Sequence, residues 1–198
     1  TRSTSSAASD VYKRQVVDGY VRDAQVEIKD PTTNTTVKST TTDAFGKYIT
    51  TLSYLDIPET FEIVVAPGGV DIATGATVTT SMKALFTRTE ALSNALFNIS
   101  TNVTLFTTLA VSMTEENDMT LADAKESLAS ALGLPIEDID EDPIAGENAT
   151  SYERLAQIAT LLAVAAATDG SLNENDALIS LSSCLLYTSP SPRDCRLS

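Results

Sequence analysis

Histidine and tryptophan are absent from this 198-residue sequence, and cysteine occurs only at positions 184 and 195. Without histidine there is no Ser-His or Cys-His nucleophile and no imidazole ligand for a metal. Without tryptophan, and with aromatics at only 6%, a stacking platform for sugars is poorer than usual. Basic residues number 13 against 27 acidic, a net charge of -14. That charge opposes phosphates and anionic lipid, so no nucleic-acid partner is expected. The longest apolar run, Leu155–Ala167 broken by Gln157 and Thr160, is too short to cross a bilayer, and no membrane insertion is expected. Carboxylate chemistry is the enzymatic option left, one acid kept protonated and another ionised across a cleft. Acids are so abundant here that a pair singles out nothing, and no catalytic, cofactor-binding or metal-ligating residue is assigned.

Both ends lack hydrophobic period. Asp10–Gln15 reads Asp-Val-Tyr-Lys-Arg-Gln, and Cys184–Asp194 reads Cys-Leu-Leu-Tyr-Thr-Ser-Pro-Ser-Pro-Arg-Asp. These resemble the two translated ends of a transposon adaptor used in sequencing libraries, in the correct opposite orientations. Residues 1–15 and 184–198 are therefore set apart from fold reasoning as adaptor-derived. The expectation is that residues 16–183 are a metagenomic fragment, an internal piece of a longer gene. Five basic residues (Arg2, Lys13, Arg14, Arg193, Arg196) and two acidic ones (Asp10, Asp194) leave with the ends, so the remainder is more acidic still. Both cysteines leave too, and with them disulfide scaffolds, Cys-ligated zinc and thiol catalysis.

What is present has two textures. Up to residue 67 it is Val, Ile, Thr and Tyr. In "AQVEIKD", Val26 and Ile28 alternate with Gln25, Glu27 and Lys29, the period of a half-buried strand. "TTVKSTT", "GKYITTL" and "FEIVVA" repeat the habit. Turn residues separate them at Asp30–Asn34 and at Thr42–Gly46, where Gly46 can take positive φ without a Cβ penalty. Short strands at this spacing predict a small antiparallel β-sandwich over 16–67. Residues 68–100 read as a mixed connection, with "GATVTTSMKALF" as one or two strands and "TEALSNALF" as a short helix. From 101 to 183 the period becomes helical, with Leu105, Phe106, Leu109, Ala110 and Met113 on one face. Thr120 is an N-cap for a helix striped by Leu121, Ala124, Leu128 and Leu132 and ended by Gly133 and Pro135. A second long helix is placed from Thr150, with Glu153 at capping-box spacing, through Leu155, Ile158, Leu161, Leu162 and Ala165, as a buried core helix. A third begins near Asn173. The fold class is α+β, an N-terminal antiparallel sandwich followed by a mainly helical segment.

"VVDGYVRDAQVEIKD" together with "TTTDAFGKYITTL" resembles the carboxypeptidase-regulatory-like, prealbumin-like or CnaB-like β-sandwich of bacterial secreted and surface proteins. Gly19, Ala24, Asp43, Gly46 and Tyr48 fit its pattern. "APGGVDIATG", "NISTNVTLFTTLA" and "ALGLPIEDIDEDP" resemble the region C-terminal to that sandwich in very large adhesin-like proteins, though the run before Leu109 lacks the Pro usual there. The resemblance implies an extracellular or cell-surface location and a non-enzymatic spacer role beside neighbouring domains of the same chain. Two alternatives stand: a module binding carbohydrate or peptide, needing an open sheet edge or exposed aromatics such as Tyr20, Tyr48 and Tyr54, and an accessory domain of a secreted hydrolase.

Two acidic stretches are candidates for calcium. Glu137, Asp138, Asp140, Glu141 and Asp142 offer the oxygen ligands a hard cation needs, although a solvated inter-helix loop between Pro135 and Pro143 explains the same letters. "DGSLNEND", with Asp169, Gly170, Asn173 and Asp176, looks like the latter half of an EF-hand loop, but Ala165 and Ala167 would fill its first ligand positions. Related sandwiches also carry a Lys–Asn crosslink; Lys29, Lys38 and Lys47 are available, whereas "FEIVVA" has no Asn, so none is expected. Asn34, Asn98, Asn102 and Asn148 head Asn-x-Ser/Thr sequons, read as coincidence.

Overall fold

The computed structural model describes residues 16–17, 20–51, 58–88, 98–99, 102–145, 148–168 and 173–188. It is α+β, antiparallel sheet first and helices after. Four strands, β3 (Gln25–Asp30), β4 (Thr35–Thr41), β6 (Thr60–Val65) and β8 (Met82–Thr87), form the main antiparallel sheet in the order β4-β3-β6-β8. Two-residue strands supplement it. Val21–Arg22 (β2) pairs with Val70–Asp71 (β7), Thr50–Thr51 (β5) with Asn98–Ile99 (β9), and Val16–Val17 (β1) runs parallel to Val103–Thr104 (β10).

Strand alternation decides which side chains meet. Register brings Val26, Val65 and Met82 into one row, Ile28, Ile63 and Ala84 into the next, and Phe61 beside Phe86. Apart from the half-buried Phe86, all of these are at most 1% exposed. Val21, Ala24, Tyr48 and Val78 complete this layer in the same buried cluster. β8 and β7 both come from the stretch read as a mixed connection; the short helix expected over "TEALSNALF" lies outside the described residues, as do residues 1–15 and 189–198.

The turn after β4 is built around Asp43. Its Oδ1 accepts from the N–H groups of Phe45 (2.8 Å) and Lys47 (2.9 Å), and its backbone pairs with Gly46 and Lys47. Gly46 has φ +74, and a Cβ there would stand 3.0 Å from the Val21 nitrogen, so positive φ and close approach both require glycine. Gly69 is constrained by space alone, since its Cβ would fall 2.6 Å from Val21 Cγ1 and 2.7 Å from Ala24 Cβ.

β10 turns directly into α1 (Leu105–Asn117) at Thr104. Thr104 Oγ1 accepts from the Thr107 N–H and Thr107 Oγ1 accepts from the Thr104 N–H, a reciprocal cap made by two threonines. Leu105 through Met113 are buried without interruption, so this first part of α1 is enclosed all round, and only its last turn, with Glu115, Glu116 and Asn117, reaches solvent. It packs on β8 and on α2 (Leu121–Leu132), α3 (Ala149–Thr168) and α4 (Glu174–Thr188).

α2 has the caps its sequence predicts. Thr120 Oγ1 accepts from the Asp123 N–H, Gly133 is left-handed at φ 67, and the Leu134 N–H returns to the Ala129 carbonyl. α3 departs from expectation at its start. Asn148, not Thr150, caps it, accepting from the Ser151 N–H at 3.3 Å. It also departs in its burial. Leu155, Ile158 and Leu162 are buried but Leu161 is 51% exposed. At about 100° per residue, Leu161 lies at the rim of the apolar face, about 60° from Ile158 but about 100° from Leu162 and about 120° from Leu155, and Ala156, Ala163, Val164 and Ala167 are exposed with it. α3 is therefore a peripheral helix, not an enclosed one. α4 starts at Asn173, whose Oδ1 accepts from the Asp176 N–H, and continues past Ser183 to Thr188. Leu185 extends the stripe of Leu178 and Leu181 and packs against the core, so the helical period carries across the expected boundary.

Candidate functional site

The polar residues gather at the seams between sheet and helices. At the first seam, β8 is an edge strand, and its outward backbone groups at Lys83 need partners. Two threonines of α1 supply them. The Lys83 N–H donates to Thr108 Oγ1 (3.0 Å) and Thr107 Oγ1 donates to the Lys83 carbonyl (2.9 Å). Helix hydroxyls thus replace a neighbouring strand.

At the same seam Lys83 Nζ donates to Glu115 Oε1 (2.7 Å) and Oε2 (3.0 Å). It also stands 3.5 Å from Glu62 Oε1, close enough for ion pairing. That oxygen is solvent-excluded and makes no hydrogen bond. Burial raises the Glu62 carboxyl above its ordinary range, against the pull of Lys83. Burial also acts to lower Lys83, but the bond to Glu115 and the field of both carboxylates outweigh it and hold the ammonium up.

The acidic loop forms the second seam. Ile136–Ile139 is a 3-10 turn, and the carboxylates diverge from it. Asp138 is buried and accepts from Ser151 Oγ (2.7 Å) and Asn148 Nδ2 (2.6 Å), fixing the start of α3. Asp140 takes Lys125 Nζ at 2.7 Å, while its backbone carbonyl takes Asn102 Nδ2 at 3.0 Å. Asp142 Oδ1 accepts from the Ile144 and Ala145 N–H groups, and Oδ2 accepts from the Tyr20 hydroxyl at 3.3 Å. Partial burial and Asp142 push the Tyr20 phenol up to about 12. Among the described residues no three His, Cys, Asp or Glu side chains converge as metal ligands. Glu137 and Glu141 are exposed.

A third seam joins α4 to the loop before β8. Glu174 Oε2 accepts from the hydroxyls of Thr79 and Thr80, and Asn175 Oδ1 from the Ser81 N–H (3.0 Å). Of the second calcium candidate, Asp169 and Gly170 lie outside the described residues. Asn173 and Asp176 cap α4, Ala165 packs on the core and Ala167 is exposed.

The aromatics named for ligand stacking are placed differently from one another. Tyr48 is 1% exposed in the core, Tyr20 is half-buried against Asp142, and Tyr54 lies outside the described residues. Lys29 stands 3.1 Å from Glu27 Oε2, Lys38 is exposed on β4, and Lys47 closes the Asp43 turn. Of the sequons, Asn34 is exposed at the hairpin tip, Asn98 is on β9, Asn102 is buried and Asn148 is half-buried. A shallow, open face of α3 on its outward side is formed by Glu153, Ala156, Gln157, Thr160, Leu161 and Val164. Among the described residues no helix is long and apolar enough to cross a membrane.

Sequence reading missed Glu62, Lys83 and Glu115 as a group. The one available signal was a carboxylate inside the apolar run "FEIVV". No family model, curated protein or solved structure matches this chain.

Proposed function

We propose that this chain is a non-enzymatic structural module, a spacer that presents or anchors neighbouring domains in a large bacterial secreted or cell-surface protein of the adhesin kind. The observation that carries the proposal is α1, which is buried on every side from Leu105 to Met113 and holds the edge of the sheet through Thr107 and Thr108. Its apolar residues share one core with the sheet and with α2, α3 and α4. Displacement applied to the sheet is then transmitted to the helices through packed side chains and hydrogen bonds. The acidic loop supports the same reading, because Asp138, Asp140 and Asp142 hold internal seams. High negative charge keeps a long array soluble and opposes binding to nucleic acid. The sequence resemblance to prealbumin-like surface modules points the same way, although fold analogy alone says little about chemistry.

The test is mechanical continuity. Equilibrium unfolding followed by far-ultraviolet signal and by tyrosine fluorescence is expected to give one coincident transition. Two separated transitions would break the proposal, as would turnover of any substrate by the chain.

A second reading, peptide binding, draws on one feature. β4 is an edge strand of the main sheet with Thr35, Thr36, Lys38, Ser39 and Thr41 exposed, and an open edge suits an extended peptide. Burial of Tyr48 makes a sugar platform the weaker half of that alternative. Peptide-array binding lost on Thr36→Pro would favour this reading over a spacer.

A further inference from the structure

We infer that Glu62, Lys83 and Glu115 form an acid-tightened clamp between the sheet and α1: a proton taken up by Glu62 releases Lys83 from a divided ion pair and strengthens the fold. The clamp stands whether or not the chain is a spacer. It starts from a mismatch in charge. One ammonium, Lys83 Nζ, is shared by two carboxylates, bonded to both oxygens of Glu115 and 3.5 Å from Glu62 Oε1. The Glu62 side chain is 12% exposed, against 30% for Lys83 and 47% for Glu115, so the least hydrated acid has the poorest partner. Its Oε1 is a buried oxygen without a hydrogen bond, which is costly while charged.

The other charged groups beside it do not repair this. Register places Lys29 of β3 next to Glu62, but Lys29 Nζ stands 3.1 Å from Glu27. β8 contributes Lys83 and α1 contributes Glu115. The group thus holds three carboxylates and two ammoniums. Burial is the largest influence raising Glu62, Glu115 adds to it, and Lys83 and Lys29 oppose it without cancelling it. Lys83 is held charged, so Glu62 is the member that changes state.

The direction follows from linkage. A carboxyl whose folded pKa lies above its unfolded value of 4.5 takes up its proton in the folded chain first. Stability from this group is complete below the unfolded value and is lost as pH rises through the folded one. Most surface carboxylates act oppositely.

The test compares the full chain with Glu62→Gln, which is isosteric and has no charge to titrate. Melting is followed from about pH 7.5 to about pH 5, so that the response common to all other carboxylates cancels. At the neutral end the variant is expected to melt higher, by about 2–4 °C, and the difference is expected to close as pH falls. A variant that melts lower at neutral pH, or a difference independent of pH, would overturn the clamp. A carbon-13 titration of the Glu62 carboxyl gives an independent readout. A midpoint above that of a free glutamate supports the clamp, and one at or below it refutes it.

Discussion

Replacing Thr107 by valine keeps the shape of the side chain and removes one oxygen, which isolates the hydroxyl's part in joining α1 to β8. That oxygen accepts the Thr104 N–H at 2.9 Å and donates to the Lys83 carbonyl at 2.9 Å. The hydroxyl and the Thr104 amide are removed from water, since Thr104 is 0% and Thr107 3% exposed, and the bond to the Lys83 carbonyl is partly buried. Valine therefore leaves a buried donor and a strand-edge acceptor without their best partners. Each orphaned group costs about 1–3 kcal/mol. Thr108 Oγ1 reaches the same carbonyl at 3.4 Å and recovers part of the second cost. The sum is a loss of about 2–4 kcal/mol, a large share of a total stability of about 5–15 kcal/mol.

Urea unfolding with linear extrapolation measures it, and for a chain of this size the melting temperature should fall by about 5–15 °C. Thr108→Val removes the acceptor of the Lys83 N–H and is expected to cost about 1–3 kcal/mol. Because both threonines serve Lys83, the double variant should depart from additivity by more than about 0.5 kcal/mol. Thr114→Val is the control, since that hydroxyl bonds only to the Val111 carbonyl of its own helix. If Thr107→Val lies within about 0.5 kcal/mol of the parent, or matches Thr114→Val, the edge of β8 is not held in this way.

Gly46→Ala should lose about 1–3 kcal/mol in the same assay, from left-handed strain and the 3.0 Å approach to the Val21 nitrogen. Asp138→Ala strips the buried acceptor from Ser151 and Asn148; a loss of about 2–3 kcal/mol is expected, with amide exchange accelerating first over the opening turn of α3. At alkaline pH, the Tyr20 phenol keeps its proton in the folded chain up to about 12, whereas the unfolded chain releases it near 10.0. Stability relative to Tyr20→Phe should be level below that window and decline as pH rises through it; a difference that stays flat would mean that the Asp142 contact does not perturb the phenol.

The parts of the fold legible in the sequence are those fixed by neighbours along the chain. Val26 and Ile28 face inward because strand period is local, and α2 runs from Thr120 to Gly133 because capping depends on residues three to five apart. Leu161 departs from expectation for a related reason. Adjacent leucines at 161 and 162 look alike in composition, and only the helical angle separates the exposed one from the buried one. Cap choice at α3 depends on tertiary context, since Asn148 is oriented by Asp138. The seams were not legible at all. Glu62 sits at an outward position of β6 yet is buried, and its partner Lys83 and its competitor for that ammonium, Glu115, arrive from β8 and α1. The acidic loop fits a hydrated loop or a cation site equally well as letters. Its actual partners, Tyr20, Asn102, Lys125 and Ser151, are supplied from four other parts of the chain.

Polar seams between two apolar layers carry a physical consequence for the proposed spacer role, which needs displacement to be transmitted. Burial of apolar area is nondirectional, so Leu105, Phe106 and Leu109 would tolerate a small slide of α1 along β8 at little change in area. Hydrogen bonds are directional and fail over fractions of an ångström. A slide of α1 by one residue would part Lys83 from Thr107 and Thr108, while the bonds of Asn175 to Ser81 and of Tyr20 to Asp142 fix α4 and the acidic loop against the sheet in the same way. These bonds add little net stability each, but every alternative register leaves buried donors and acceptors unpaired at about 1–3 kcal/mol apiece. Hydrophobic burial thus sets how strongly sheet and helices adhere, and the threonine, asparagine and aspartate contacts set the one position in which they do. The same division explains why removing a single hydroxyl at Thr107 should be felt across the whole chain, while the exposed threonines of β4 can be exchanged with little effect.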